Sequence, residues 1–189
     1  MKIFTENELR DLLIAILILS AVFAYPKLDV FFVSLIIVFF SYVLRQIAHK
    51  YVARKFGCMA TFKIWFPGVI IGLMSMFFKD LFFGIVFVAV GFVDIMPYSF
   101  GRWGFKVARL GKKELGLISL AGISVNILLA IIFKMFPGDV FKTISLYNGL
   151  LALFSLIPYP PIDGSKLFLW EMWIWLFFLF ITILTLFVF

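Results

Sequence analysis

Long apolar runs recur along this chain, broken by short polar, Pro- or Gly-containing segments. "LLIAILILSAVFAY" (Leu12 to Tyr25) and "DVFFVSLIIVFFSYVL" (Asp29 to Leu44) are the first two. A bilayer core about 30 Å thick takes about 20 residues of helix, so runs of this kind favour membrane spans over the core of a soluble domain. Composition agrees: 65% of the 189 residues are hydrophobic and 14% charged, against roughly half and a quarter in soluble domains. Acidic Glu6, Glu8 and Asp11 precede the first run and further spans follow it, which favours a span over a cleaved leader.

Spans are expected at about 12–25, 29–53, 114–136, 142–158 and 171–189, with 69–96 leaving and returning as a hairpin or re-entrant pair. The expected class is therefore all-α: a polytopic membrane bundle of about six spans. Thr5 and Glu8 have the spacing of a capping box before the first helix. "FGCMATFKIWFPG" alternates enough for a strand or hairpin at the membrane surface. The chain reads as one membrane-embedded domain, 1–189. Without an internal repeat, an inverted-repeat transporter has little support.

The formal net charge is +7. In a membrane protein such an excess marks cytoplasmic loops, and no nucleic-acid partner is expected. The cations of Lys50 to Lys63 and Arg102 to Lys113, with Lys2, Arg10 and Lys166, then lie on the cytoplasmic side. That puts the N-terminus, His49 and Asp163 toward one face. Trp65, Trp103 and Trp170 suit the interfacial aromatic belt, and Asp94 suits either the interface or a polar contact within the bundle. The single cysteine, Cys58, rules out an intramolecular disulfide and a Cys-rich metal site, and is given no role.

Two segments carry chemistry. In "VLRQIAHKYVARKFG", Arg45 and His49 are four residues apart and project from one helical face, the interval at which zinc proteases place two histidines in His-Glu-x-x-His. Alone, the segment fits better a basic helix end with one histidine at the cytoplasmic interface. In "LFSLIPYPPIDGSKLF", Asp163 lies in a Pro-rich break that ends one helix, and Gly164 permits the turn into the next. A carboxylate between membrane helices calls for a partner, although Asp163 alone also fits a helix cap in an exposed loop.

Taken together, these segments resemble the site-2 protease family (intramembrane zinc metalloproteases, peptidase family M50), in particular its short archaeal and bacterial members. "LAGISVNILLA" (Leu120 to Ala130) is a third match, similar to the family's Gly-x-x-x-Asn helix. The resemblance covers about residues 30–170, the protease-like core. It implies zinc as cofactor, His49 and Asp163 as ligands, Asn126 lining the substrate groove, and transmembrane segments as partners in a prokaryotic cell membrane. Arg45 stands at the first histidine ligand position, Gln46 at the catalytic glutamate, and Ser155 where the family often has Asn.

Those departures alter the expected mechanism. A glutamine amide is not a useful general base, and losing one costs about 10²- to 10⁴-fold. A guanidinium offers no lone pair to a metal. Zinc is therefore expected to be absent or weakly bound, with an Arg45–Asp163 ion pair in its place; the competing expectation is that Arg45 reaches the interface instead. The functional expectation is an inactive relative that binds transmembrane helices or modulates a proteolytic partner. The alternatives are an active zinc endopeptidase with unusual ligation and, further off, a small transporter or channel subunit.

Overall fold

The computed structural model describes residues 4–78, 85–101 and 104–187. It is mostly helical. Among the described residues are α1 (Glu6–Ala24), α2 (Phe31–Lys55), α3 (Phe66–Phe77), α4 (Lys112–Lys134), α5 (Asp139–Ser155), α6 (Asp163–Trp170) and α7 (Met172–Phe187). A 3-10 turn, Leu28–Val30, leads into α2. Four short strands complete the fold: β1 (Met59–Ile64), β2 (Gly91–Met96), β3 (Tyr98–Gly101) and β4 (Gly104–Val107).

The mostly helical expectation holds, β1 lies where a strand or hairpin was expected at the membrane surface, and the strands beyond it add to the all-α class. β1 and β2 pair antiparallel from Met59↔Met96 to Ile64↔Gly91, and β3 and β4 form a hairpin. The alternation in residues 59–64 is a strand pattern, and its partner lies beyond α3 in sequence. The pairing of β1 with β2 brings the two ends of the segment between them together. That segment begins as α3, whose Pro67 occupies the first turn, and ends at Val90, whose carbonyl accepts from the Trp65 N–H. Lys79 and Asp80 lie outside the described residues, as do Arg102 and Trp103.

α2 and α4 are long and apolar enough to cross a bilayer. At about 1.5 Å per residue they reach about 35 Å or more. α3 and α7 are shorter apolar helices. The run expected at about 171–189 is helical as α7 from Met172 to Phe187, and Glu171, extended at φ −153° and ψ 107°, separates it from α6. α1 starts before its apolar run because the Thr5–Glu8 capping box forms, with the Thr5 hydroxyl accepting from the Glu8 N–H and the Glu8 carboxylate from the Thr5 N–H.

α2 is inside out relative to a soluble helix. Its buried face carries Ser34, Ser41, Arg45, Gln46, His49 and Lys50, while Phe32, Ile36, Phe40, Leu44 and Ile47 are exposed. That arrangement suits hydrocarbon, which accepts apolar side chains while a bundle interior satisfies the polar ones. In lipid, close packing rather than the hydrophobic effect holds helices together, and small residues allow it. On α4, Gly116 meets the Trp170 ring and Gly122 meets His49. Near the start of α2, Phe23 stacks on Tyr147 at 3.9 Å between centroids, and the Tyr147 hydroxyl lies 2.9 Å from Ser34 Oγ.

Candidate active site

The last four turns of α2's buried face bring Tyr42, Arg45, Gln46 and His49 against α4 and the head of α6. α6 starts at Asp163, after Pro158, Pro160 and Pro161 have stopped α5 from continuing. Its approach depends on Gly164: a Cβ there would lie 2.3 Å from the backbone of Leu156, at the end of α5. The carboxylate of Asp163 is thereby delivered, fully buried, beneath α2.

Three basic side chains surround that carboxylate. Arg45 Nη2 donates to Asp163 Oδ2 at 2.7 Å, with the two side chains 5% and 0% exposed. Lys166, one turn along α6, donates to Oδ1 at 3.1 Å and to the Val93 carbonyl of β2 at 2.5 Å. His49 Nε2 lies 3.4 Å from Oδ2. The Arg45 guanidinium also sits 5.8 Å from the Tyr42 ring centroid. Both oxygens of Asp163 thus face cations, and a buried carboxylate in such surroundings stays ionised.

His49 is fixed from behind. Its Nδ1–H donates to the Ile118 carbonyl at 2.8 Å, which leaves the Nε2 lone pair facing Asp163. This is the posture of a metal-ligating histidine, oriented by a backbone carbonyl through its second nitrogen. Gly122 makes room for the ring, since a Cβ there would lie 1.9 Å from Nε2.

The other residues singled out in the sequence are placed less directly. Gln46 and Asn126 are buried, and the Gln46 Nε2 and both amide atoms of Asn126 make no hydrogen bond within the described residues. Asn126 lies one turn beyond Gly122 on α4. Ser155 turns back on its own helix, donating to the Leu151 carbonyl at 2.5 Å. Asp94 pairs with Lys63 across the β1–β2 sheet at 2.6 Å.

Comparison with known proteins bears on what this arrangement descends from. The chain is 34% identical over 183 residues to "Putative zinc metalloprotease MJ0611" of Methanocaldococcus jannaschii, covering 91% of this chain and 88% of that one. The chain belongs to the site-2 protease family. "Putative zinc metalloprotease YwhC" of Bacillus subtilis is 29% identical over 163 residues, or 77% of this chain and 71% of that protein. No family model matches the chain, and no solved structure matches it.

The site-2 protease family implies zinc, and the residues here do not fit it. Among the described residues no group of three or more His, Cys, Asp or Glu side chains is placed to hold a metal ion. His49 Nε2 and the Asp163 carboxylate are two donors, where a catalytic zinc takes three from the protein and leaves a fourth position for water. The third direction is occupied by Arg45, a permanent cation without a lone pair. Cys58 offers no substitute, since its Sγ lies against the Phe56 carbonyl and burial pushes its thiol pKa up, with the nearby Glu114 carboxylate adding to the shift.

Sequence reasoning did not assign Lys166, Gly122 or the Ile118 carbonyl to the site. Lys166 was legible as a cation one turn from Asp163 on a helix starting at the Pro-rich break. Gly122 was legible only as part of the Gly-x-x-x-Asn match, and a backbone carbonyl leaves no sequence signal.

Proposed function

We propose that this chain is a non-proteolytic member of the site-2 protease family, in which an Arg45–Asp163 ion pair takes the place of the metal as the cross-link between α2 and α6. The observation that carries this reading is the 2.7 Å contact between Arg45 Nη2 and a carboxylate with no exposed surface. Gln46 in the general-base position points the same way. The retained role is binding: a transmembrane segment of another membrane protein, a substrate or a proteolytic partner, is received beside α4, and the unpaired amide of Asn126, buried behind that surface, becomes available to it when the helices part. The N-terminus and the Arg45–Asp163 end face the cytoplasm, where the excess of cations belongs.

The test is elemental analysis of the full chain purified in detergent without chelator, alongside a cleavage assay on a transmembrane peptide. Substoichiometric zinc and no chelator-sensitive cleavage are expected. Stoichiometric zinc that disappears in His49→Ala or Asp163→Ala would establish instead an active endopeptidase with unusual ligation.

A further inference from the structure

The acids near the site end of the bundle are largely engaged. Glu8 pairs with Lys50 at 2.8 Å, Asp11 with Arg10 at 3.2 Å, Asp94 with Lys63 at 2.6 Å, and Asp163 with Arg45 and Lys166. Glu114 caps α4 by accepting from the Gly111 N–H at 2.9 Å. The exposed acids Glu6 and Glu171 lie on α1 and between α6 and α7. Where α2 ends and α4 begins the exposed charged side chains are cationic: Arg54 and Lys55 in the last turn of α2, Arg109 before α4, and Lys112 and Lys113 in its first turn.

These side chains share one corner of the molecule. Beneath them a buried cluster joins Ala53 of α2 to Ile118 of α4, with Val52, Phe56, Ala108 and Leu110 packed against it. None of these cations makes an ion pair with a described residue. Lys55 instead lies 4.6 Å from the ring centroid of Tyr51, itself 61% exposed one turn earlier. The opposite end lacks this excess, since Lys142 there has Asp139 at 3.5 Å and Lys134 is tied to the Thr185 carbonyl.

We infer that this corner is a docking surface for the headgroups of anionic phospholipids. α2 and α4 are the two helices long and apolar enough to cross the bilayer, and the corner is formed by the end of one and the start of the other. Its guanidinium and ammonium groups therefore lie at the depth of the lipid phosphates. Tyr51, with an apolar ring and a polar tip, suits the same layer. Cations facing such a layer without protein counter-charges gain from anionic lipid and have nothing to gain from zwitterionic lipid. Bound lipid would hold α2 at a fixed depth, and with it Arg45 and His49, which stand one to three turns below the corner.

The test counts lipids retained by the full chain, using native mass spectrometry from micelles containing equal phosphatidylglycerol and phosphatidylcholine. Phosphatidylglycerol is expected to be retained preferentially, with the preference falling about fivefold for each cation neutralised among Arg54→Gln, Lys55→Gln, Lys112→Gln and Lys113→Gln. Raising the salt to about 0.5 M should weaken it further. Lys27→Gln with Lys142→Gln, at the other end, should leave it unchanged. Equal retention of the two lipids, an equal loss in the Lys27/Lys142 control, or displacement by millimolar inorganic phosphate would each overturn the inference. The measurement requires no proteolysis and no metal, so it stands apart from the reading of the Arg45–Asp163 site.

Discussion

Arg45 and Asp163 are 118 positions apart in sequence and joined by a 2.7 Å charge-assisted hydrogen bond in a site with almost no solvent access. Breaking such a pair from one side leaves an uncompensated buried charge, at a cost of about 3–5 kcal/mol. The two sides are not equivalent here. Asp163→Asn strands Arg45 and Lys166 together, whereas Arg45→Met leaves Lys166 on Oδ1. Asp163→Asn is therefore expected to lose the full amount and Arg45→Met about half of it, as measured by unfolding in detergent. Equal losses would mean that Lys166 contributes little to holding the carboxylate.

The contact between Gly122 and His49 supports a second prediction. Gly122→Ala would put a methyl group 1.9 Å from Nε2, so the ring must leave its place or α2 and α4 must separate. Overpacking of this kind costs about 1–3 kcal/mol. Adding His49→Ala to Gly122→Ala should recover most of that loss. A thermal unfolding series on the two single variants and the double variant checks it, and an additive double variant would show that the strain lies elsewhere.

A second buried ion pair stands beside the site. The Glu8 carboxylate accepts from Lys50 Nζ at 2.8 Å and from the Phe62 N–H at 3.0 Å, and Lys50 also donates to the Ala60 carbonyl at 2.9 Å. Lys166 does the same for the other strand, joining Asp163 to Val93. Each strand of the β1–β2 sheet is therefore pinned by one lysine that also holds a carboxylate. Lys50→Met is expected to speed amide hydrogen exchange at Phe62 by tenfold or more, equivalent to about 1.4 kcal/mol of local opening. Unchanged exchange there would show that the strand pairing alone holds β1.

How much of this could be read from the sequence depended on how far apart the partners lie. The capping box of α1 and the break before α6 are local, and Thr5, Glu8, Pro160, Pro161 and Gly164 mark them. β1 was marked by its alternation, but its pairing with β2 spans α3 and has no local signal, so the all-α expectation missed the sheets. The start of the last helix at residue 172 falls where the apolar run was expected to begin, but α6 as a separate short helix before it was not foreseen. Residues 45–49 alone say nothing of Asp163, and only the resemblance set them side by side. Glu8 and Lys50 read as ordinary interfacial charges because their burial depends on tertiary contacts.

Cys58 provides a check on the local electrostatics outside the spans. Its residue is 1% exposed, and burial with Glu114 nearby raises its thiol pKa. A raised pKa lowers the thiolate fraction at neutral pH, and the thiolate is the reactive form. Labelling of the folded protein by iodoacetamide at pH 7 should therefore be far slower than after denaturation, and should rise only at alkaline pH. Rapid labelling of the folded protein at pH 7 would contradict this placement of the side chain.

Metal binding should be recoverable in separable steps. His49 is already oriented by Ile118, and its Nε2 faces the Asp163 carboxylate, so the missing element is a third donor on the same face of α2, one turn away. Arg45→His supplies it and removes the competing cation. That variant should bind zinc stoichiometrically at neutral pH, where histidine ligands are deprotonated, and should lose it on adding Asp163→Ala. Gln46→Glu in the Arg45→His background should then supply the general base without changing metal content. Cleavage of a transmembrane peptide is expected to rise by about 10²- to 10⁴-fold between the two variants. Elemental analysis and the cleavage assay separate the steps: a folded Arg45→His protein without zinc would mean the donors do not converge, and metal without the second gain would place the side chain of residue 46 out of reach of the bound water.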